Sequence, residues 1–196
     1  DRSTLDLLGD QEKLMQALIE TGKPLVVVYI QGRTLKMNLA AEKANALLTA
    51  WYPGGEGGHA IADVLFGDYN PAGRLPVTFY RNMENLPDFE DYNMKGHTYR
   101  YFKNEVLFPF GHGLSYTSFK YSNLKMKDAG KTLDVTFTLK NNGRYNGDEV
   151  AQVYVKLPEY GGVAPIKELK GFTKVFLEAG EEKEVSITLD KRAFAY

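Results

Sequence analysis

The residues best placed to do chemistry lie in one glycine-rich run. Glu56 sits within Gly55-Glu56-Gly57-Gly58-His59-Ala60, with Trp51 and Tyr52 just upstream. A carboxylate on such a loop, at the carboxyl end of a strand, stands where open α/β sheets bind their ligands. The two aromatic residues beside it offer flat apolar faces of the kind sugar rings stack on. Trp51, Tyr52 and Glu56 are therefore the candidate ligand-contacting residues, set against a purely structural role for all three. The run also fits G-x-G-x-x-A between a strand and a helix, a pattern that can cradle a pyrophosphate on backbone N–H groups. Its strand does not open a βαβ unit ending in a ribose-binding acid, and its helix is short. A tight turn allowing close backbone approach is the competing reading, and no cofactor is expected.

Other candidates are weaker. Ser115, in Gly113-Leu-Ser-Tyr-Thr117, lacks the second glycine of a nucleophile elbow. His59, His97 and His112 are the only histidines, and none pairs with another at i+4, so no metal site is expected. Asp88, Glu90 and Asp91 cluster in a polar stretch, where adjacent acids ordinarily face water. With no cysteine, disulfides, thiolate zinc sites and thiol catalysis are excluded. Lys+Arg number 24 against Asp+Glu 25, so no basic excess exists to pair with a nucleic acid. The longest apolar run, from Pro24 to Ile30, is far shorter than a membrane-spanning helix.

These residues need elements to hold them. Asp10 to Glu20 carries Leu14, Leu18 and Ile19 at helical spacing, with Gly22 as a C-terminal cap. Leu25 to Ile30 is a continuous apolar run, which predicts a strand covered on both faces in a parallel sheet. A short helix over 40–45, a strand over 46–51, a helix over 59–66 and a short strand over 74–80 follow. The first eighty residues thus predict part of an α/β open sheet. Residues 81–118 lack clear periodicity. Their aromatic residues (Phe89, Tyr92, Tyr99, Tyr101, Phe102, Phe108, Phe110, Tyr116) predict an ordered connector packed on its neighbours.

From Phe119 the pattern becomes all-β. Leu133, Val135, Phe137 and Leu139 alternate with polar residues, Asn141-Asn142-Gly143 marks a turn, and Val153, Val155, Leu157 and Val185, Ile187, Leu189 repeat the alternation. With strands near 120–127 and 168–177, five are legible, against about seven in a complete immunoglobulin-like sandwich. The expected organisation is an α/β portion over 1–80, a connector over 81–118 and a β-sandwich over 119–196. The chain is expected to start partway through a longer one and to stop a hairpin early, leaving strand edges that favour self-association.

Several segments together resemble glycoside hydrolase family 3, the β-glucosidase-like enzymes. They are Asp1-Arg2-x-x-Leu5-x-Leu7-x-x-x-Gln11; Gly22 to Val28; Ala50-Trp-Tyr-Pro-Gly-Gly-Glu-Gly-Gly58; and Ala62 to Val77. Thr98 to Phe102 and Phe108 to Thr117 follow, and then a tail, Asn141 to Val155 with Lys167 to Phe172, similar to the family's fibronectin type III-like domain. The resemblance implies a parent enzyme with a (β/α)₈-like barrel, an α/β sandwich and a fibronectin type III-like domain. It implies retaining hydrolysis of terminal β-linked sugars, by an Asp nucleophile in the barrel and a Glu acid/base on a second-domain loop. No residue of this sequence matches either position, so no catalytic residue is assigned here. The expected partners are a β-glucoside or oligosaccharide, with β-xyloside second, and the barrel portion of the same enzyme. A homo-oligomer is compatible with this reading, and the family favours a periplasmic or secreted location. The alternatives are a non-catalytic carbohydrate-binding or adhesion module and a nucleotide-binding domain.

Overall fold

Two apolar patterns of different period generate two cores. In a computed structural model, which describes residues 3–84, 86–156, 158 and 164–195, helical spacing builds the first and strand alternation the second. Helix α1 spans Gln11–Glu20 and turns its Met15 and Ile19 inward, one turn apart on the same face. Leu14 and Leu18, read from sequence as part of the inward face, are exposed instead. Gly22, at φ +69°, ends the turn after the helix as expected.

Strand β1 (Val26–Tyr29) pairs in parallel with β2 (Ala46–Thr49), with α2 (Asn38–Lys43) between them. Val27, Tyr29 and Leu47 point into the core with Met15, Met37, Ala40 and Phe79. Coverage of the 25–30 run on both faces is not found among the described residues: Val26 in β1 and Ile30 just after it are exposed. The described sheet here has two strands, and residues alternate between a packed and an unpacked face.

Helix α3 (Gly57–Phe66) follows and is stopped by Gly67 at φ +88°. No strand forms over 74–80. Phe79 makes a single antiparallel bridge to Phe108, while Leu75 donates its N–H to the carbonyl of His112 and accepts from Gly111. Pro76 and Pro109 lack the N–H groups a continuous ladder needs, which breaks the pairing into separate bonds.

Among the described residues of 81–118 there is one short helix, α4 (Thr98–Tyr101). Tyr99 stacks on Phe110 at 4.1 Å and meets Tyr154 edge-on, so this part packs as expected. Phe89 and Tyr92 do not: both are almost wholly exposed. They lie in a bend held by Asp91, whose side chain accepts from the backbone and side chain of Asn93. Local polar bonding, rather than aromatic burial, shapes that loop.

The five strands read from sequence form a sandwich: β3 (Phe119–Asp128), β4 (Thr132–Asn141), β5 (Gly147–Val155), β6 (Glu168–Leu177) and β7 (Glu182–Asp190). One antiparallel sheet runs β3-β4-β7 and faces a pair, β5-β6. Val135, Phe137 and Leu139 of β4 lie beside Val185, Ile187 and Leu189 of β7 on one face of this sheet, and pack across the core against Ala151 and Leu177 of the β5-β6 pair. Leu157, expected to continue the alternation of β5, lies outside the described residues.

Fully buried Asn141 ties the sandwich to the connector. Its amide donates to the carbonyls of Tyr145 and Leu177 and accepts from the Thr117 hydroxyl and the Gly143 N–H. The α/β portion is joined to the sandwich by a half-buried ion pair, Arg74 with Glu149, whose other oxygen accepts from the Tyr121 hydroxyl.

Candidate functional site

The carboxyl ends of β1 and β2 hold the sequence candidates together. Beyond the strands the two chains stay paired for one more step, with Ala50 donating to Tyr29 and Gln31 to Trp51. Gln31 also bonds Thr49 through its side chain at 3.0 Å. Trp51 then adopts φ +51°, a left-handed conformation that is costly for a bulky residue and turns the chain sharply. Its ring meets Phe79 edge-on at 6.0 Å and packs on the core, so most of this side chain faces inward.

Tyr52 is 80% exposed, and its ring lies over Gly32 at the end of β1, where any added Cβ would collide with it. Glu56 occupies the N-cap position of α3, but its side chain caps nothing. It bonds His59 Nδ1 at 2.7 Å, with both side chains open to water. Gly57 allows the helix to close on Pro53, whose ring a Cβ would strike, while Gly55 and Gly58 face open space. Gly57 thus allows close packing of the helix start on Pro53. The arrangement is one exposed ring and one exposed carboxylate on a shared rim, with Trp51 bracing it from behind. It can contact a polar ligand that has an apolar face. Among the described residues nothing encloses the Glu56 carboxylate.

Of the remaining candidates, Ser115, His97, His112 and Asp91 have structural partners, whereas Asp88 and Glu90 are exposed. The Ser115 hydroxyl donates to Asn70 and accepts from Thr117 N–H. His97 bonds the carbonyl of Asp91, and His112 stacks on Phe108. Burial, with Arg74 nearby, lowers the His112 pKa and keeps its ring neutral. The Asp91 carboxyl is held low by the Asn93 backbone N–H and then by the Asn93 side chain. Among the described residues no cluster of three metal-ligating side chains forms, and no helix is long and apolar enough to cross a membrane.

The sequence model of the glycosyl hydrolase family 3 C-terminal domain matches residues 1–116. The chain belongs to glycoside hydrolase family 3. Residues 149–196 match the fibronectin type III-like domain. The family 3 chain is 43% identical to a xylan 1,4-beta-xylosidase of Xylanibacter ruminicola, over all of its own length and 23% of that protein. It is 39% identical to a periplasmic beta-glucosidase of Salmonella typhimurium, over all of its length and 28% of that one. Among solved structures, a beta-glucosidase from Kluyveromyces marxianus superposes with a TM-score of 0.90 at 36% identity, covering 99% of this chain and 25% of the other. Beta-glucosidase 3B from Thermotoga neapolitana, solved with glucose, gives 0.89 at 33% identity, over 98% and 30%. The chain therefore spans about a quarter of the length of these relatives. Its fold is the family's C-terminal α/β domain followed by a fibronectin type III-like β domain.

Sequence reasoning passed over a second group of residues. Phe66, Asp68, Asn70, Tyr116, Arg144 and Tyr145 line a cleft of about 750 Å³ between the end of α3 and the turn joining β4 to β5. They come from three separate stretches of chain, so no motif or spacing could have linked them.

Proposed function

We propose that this chain is the C-terminal part of a retaining β-glycosidase that removes terminal β-linked glucose or xylose. Its own contribution is one wall of the substrate cleft. Family membership and the open setting of Glu56 together carry this reading: the rim can touch a sugar but has no enclosed acid of its own.

Retaining hydrolysis needs two carboxyl groups about 5–5.5 Å apart across the scissile bond, one as nucleophile and one as acid and then base. We assign both to polypeptide other than residues 1–196, as the family resemblance implies. The division into an α/β portion to residue 80, a connector to 118 and a β-sandwich beyond belongs to the same proposal. Within the wall, Tyr52 offers a ring face to the sugar and Glu56 accepts its hydroxyl hydrogens. Trp51 fixes the turn that presents both. Holding the substrate in one orientation is how such a wall contributes to rate.

The test is hydrolysis of p-nitrophenyl β-glucoside and β-xyloside. Residues 1–196 alone should release no nitrophenol, whereas the intact polypeptide should. In the intact polypeptide, Tyr52→Ala should raise KM by about tenfold, the scale of one lost aromatic contact. Turnover by residues 1–196 that disappears in Glu56→Gln would overturn the assignment of the acids to other polypeptide.

A further inference from the structure

The cleft at the far end of α3 has its own chemistry. Three aromatic side chains stand open on its walls: Phe66, 84% exposed; Tyr145, 62% exposed; and Tyr116, about half exposed. Grouped exposed rings of this size are unfavourable in water unless something covers them. Between them lie Asp68 and Arg144, one charge of each sign. Among the described residues neither side chain makes a hydrogen bond or ion pair, with each other or with anything else, and the Tyr145 hydroxyl is also unpaired.

Two of the lining residues, Tyr116 and Asn70, are fixed before any ligand arrives. The Tyr116 hydroxyl donates to the carbonyl of Val64 at 2.6 Å, which pins its ring. Asn70 accepts from Ser115 and from the Tyr116 N–H, and donates across the cleft floor to the carbonyl of Asn146 at 2.9 Å. Asn146 in turn accepts from Ala179 N–H, and Asn141 holds the Tyr145 carbonyl at 2.8 Å. These two residues lose little freedom on binding, while the exposed Phe66 and Tyr145 side chains would be ordered by it.

We propose that this cleft is a second saccharide site, taking a neutral β-1,4-linked glucan or xylan chain. Its volume falls within the roughly 300–1,000 Å³ of ordinary small-molecule sites, and it lies where two structural units meet, a preferred place for them. Balanced charge disfavours an anion or a cation as occupant. The fork of Arg144 can donate two parallel hydrogen bonds to neighbouring hydroxyl oxygens, and Asp68 can accept from hydroxyl hydrogens. The rings supply apolar faces for the C–H side of a sugar. These features stand without the catalytic reading; only the choice of β-1,4-linked glucose or xylose rests on it.

The experiment is calorimetric titration of the intact polypeptide with thioether-linked, uncleavable cellohexaose and xylohexaose, alongside hydrolysis of the p-nitrophenyl monoglycosides. At least one oligosaccharide should bind at two sites per chain. Tyr145→Ala and Arg144→Ala should each weaken one of the two by at least about tenfold and leave monoglycoside kcat/KM unchanged. Both side chains are exposed, so unchanged melting temperatures should accompany the loss. Binding that is absent for both oligosaccharides, or the same in parent and both variants, overturns the cleft proposal. If the catalytic proposal fails instead, hydrolysis is absent while a single site sensitive to Tyr145→Ala remains.

Discussion

Replacing Asn141 tests whether one buried amide holds the sandwich, the connector and the cleft together. Its side chain makes four hydrogen bonds, at 2.6, 2.8, 3.1 and 3.2 Å, and its residue is fully buried. Each such bond contributes about 1 kcal/mol net, so the four amount to about 4 kcal/mol. Asn141→Leu removes all four but buries an apolar side chain of similar size, which returns about 2 kcal/mol. The expected loss is about 2 kcal/mol, or about 4–8 °C in Tm for a chain of this length. Asn141→Ala lacks that return and leaves a hole, so it should cost about 4 kcal/mol or more. Urea unfolding of the chain, followed by far-ultraviolet circular dichroism, measures both. If Asn141→Leu is as stable as the parent, the four bonds together contribute only about the 2 kcal/mol that the leucine returns, and the reasoning is wrong. The order of the two variants is a second check, because a purely steric role would predict that Leu, the larger intruder, is worse than Ala.

Three further outcomes follow from other contacts. Arg74→Met should destabilise by about 3 kcal/mol or more, because it strands the Glu149 carboxylate at 14% side-chain exposure; Arg74→Met/Glu149→Leu should recover most of that in the same unfolding assay. Gly113→Ala should cost about 1–3 kcal/mol, since the new Cβ would press on the Gly73 carbonyl oxygen, a backbone atom with little room to move. The lowered pKa of His112 means that the unfolded chain takes up its proton first as pH falls. Stability should therefore decline from about pH 6.5 downward through the folded pKa, and His112→Phe should flatten that part of the profile without changing stability at pH 8.

The sandwich was almost fully legible because each strand buries one face on a shared core, so alternate residues carry the signal. The paired strands β1 and β2 were legible for a related reason: short apolar runs bounded by turn residues. What failed depended on partners the sequence does not display. The 74–80 stretch has strand composition, yet Pro76 opposite a segment containing Pro109 leaves only isolated bonds. Aromatic residues in the connector were treated alike, but Tyr99 and Phe110 find each other while Phe89 and Tyr92 find nothing. At the candidate rim, composition picked out a carboxylate and rings, and the structure places them just beyond a strand end. It could not show that the left-handed turn at Trp51 would send that ring to Phe79 and leave Tyr52 outside.

Helix α3 gives the rim and the cleft a common frame. Its ten residues form a rod about 15 Å long, with Glu56 and His59 at one end and Phe66 at the other. The stretch just after it is anchored to the sandwich by Asn70 on the Asn146 carbonyl, Arg74 on Glu149, and Tyr69 beside Lys174, which also pairs with Asp148 at 3.4 Å. A rod fixed at one end transmits its orientation to the other, because a continuous helix resists bending far more than a loop does. On the proposed function, the β-sandwich would act on the rim through α3, by setting the direction in which that helix presents Glu56. Loosening Asn70 or Arg74 would reach that rim through α3, whereas trimming Tyr145 at the cleft surface would leave the helix where it is.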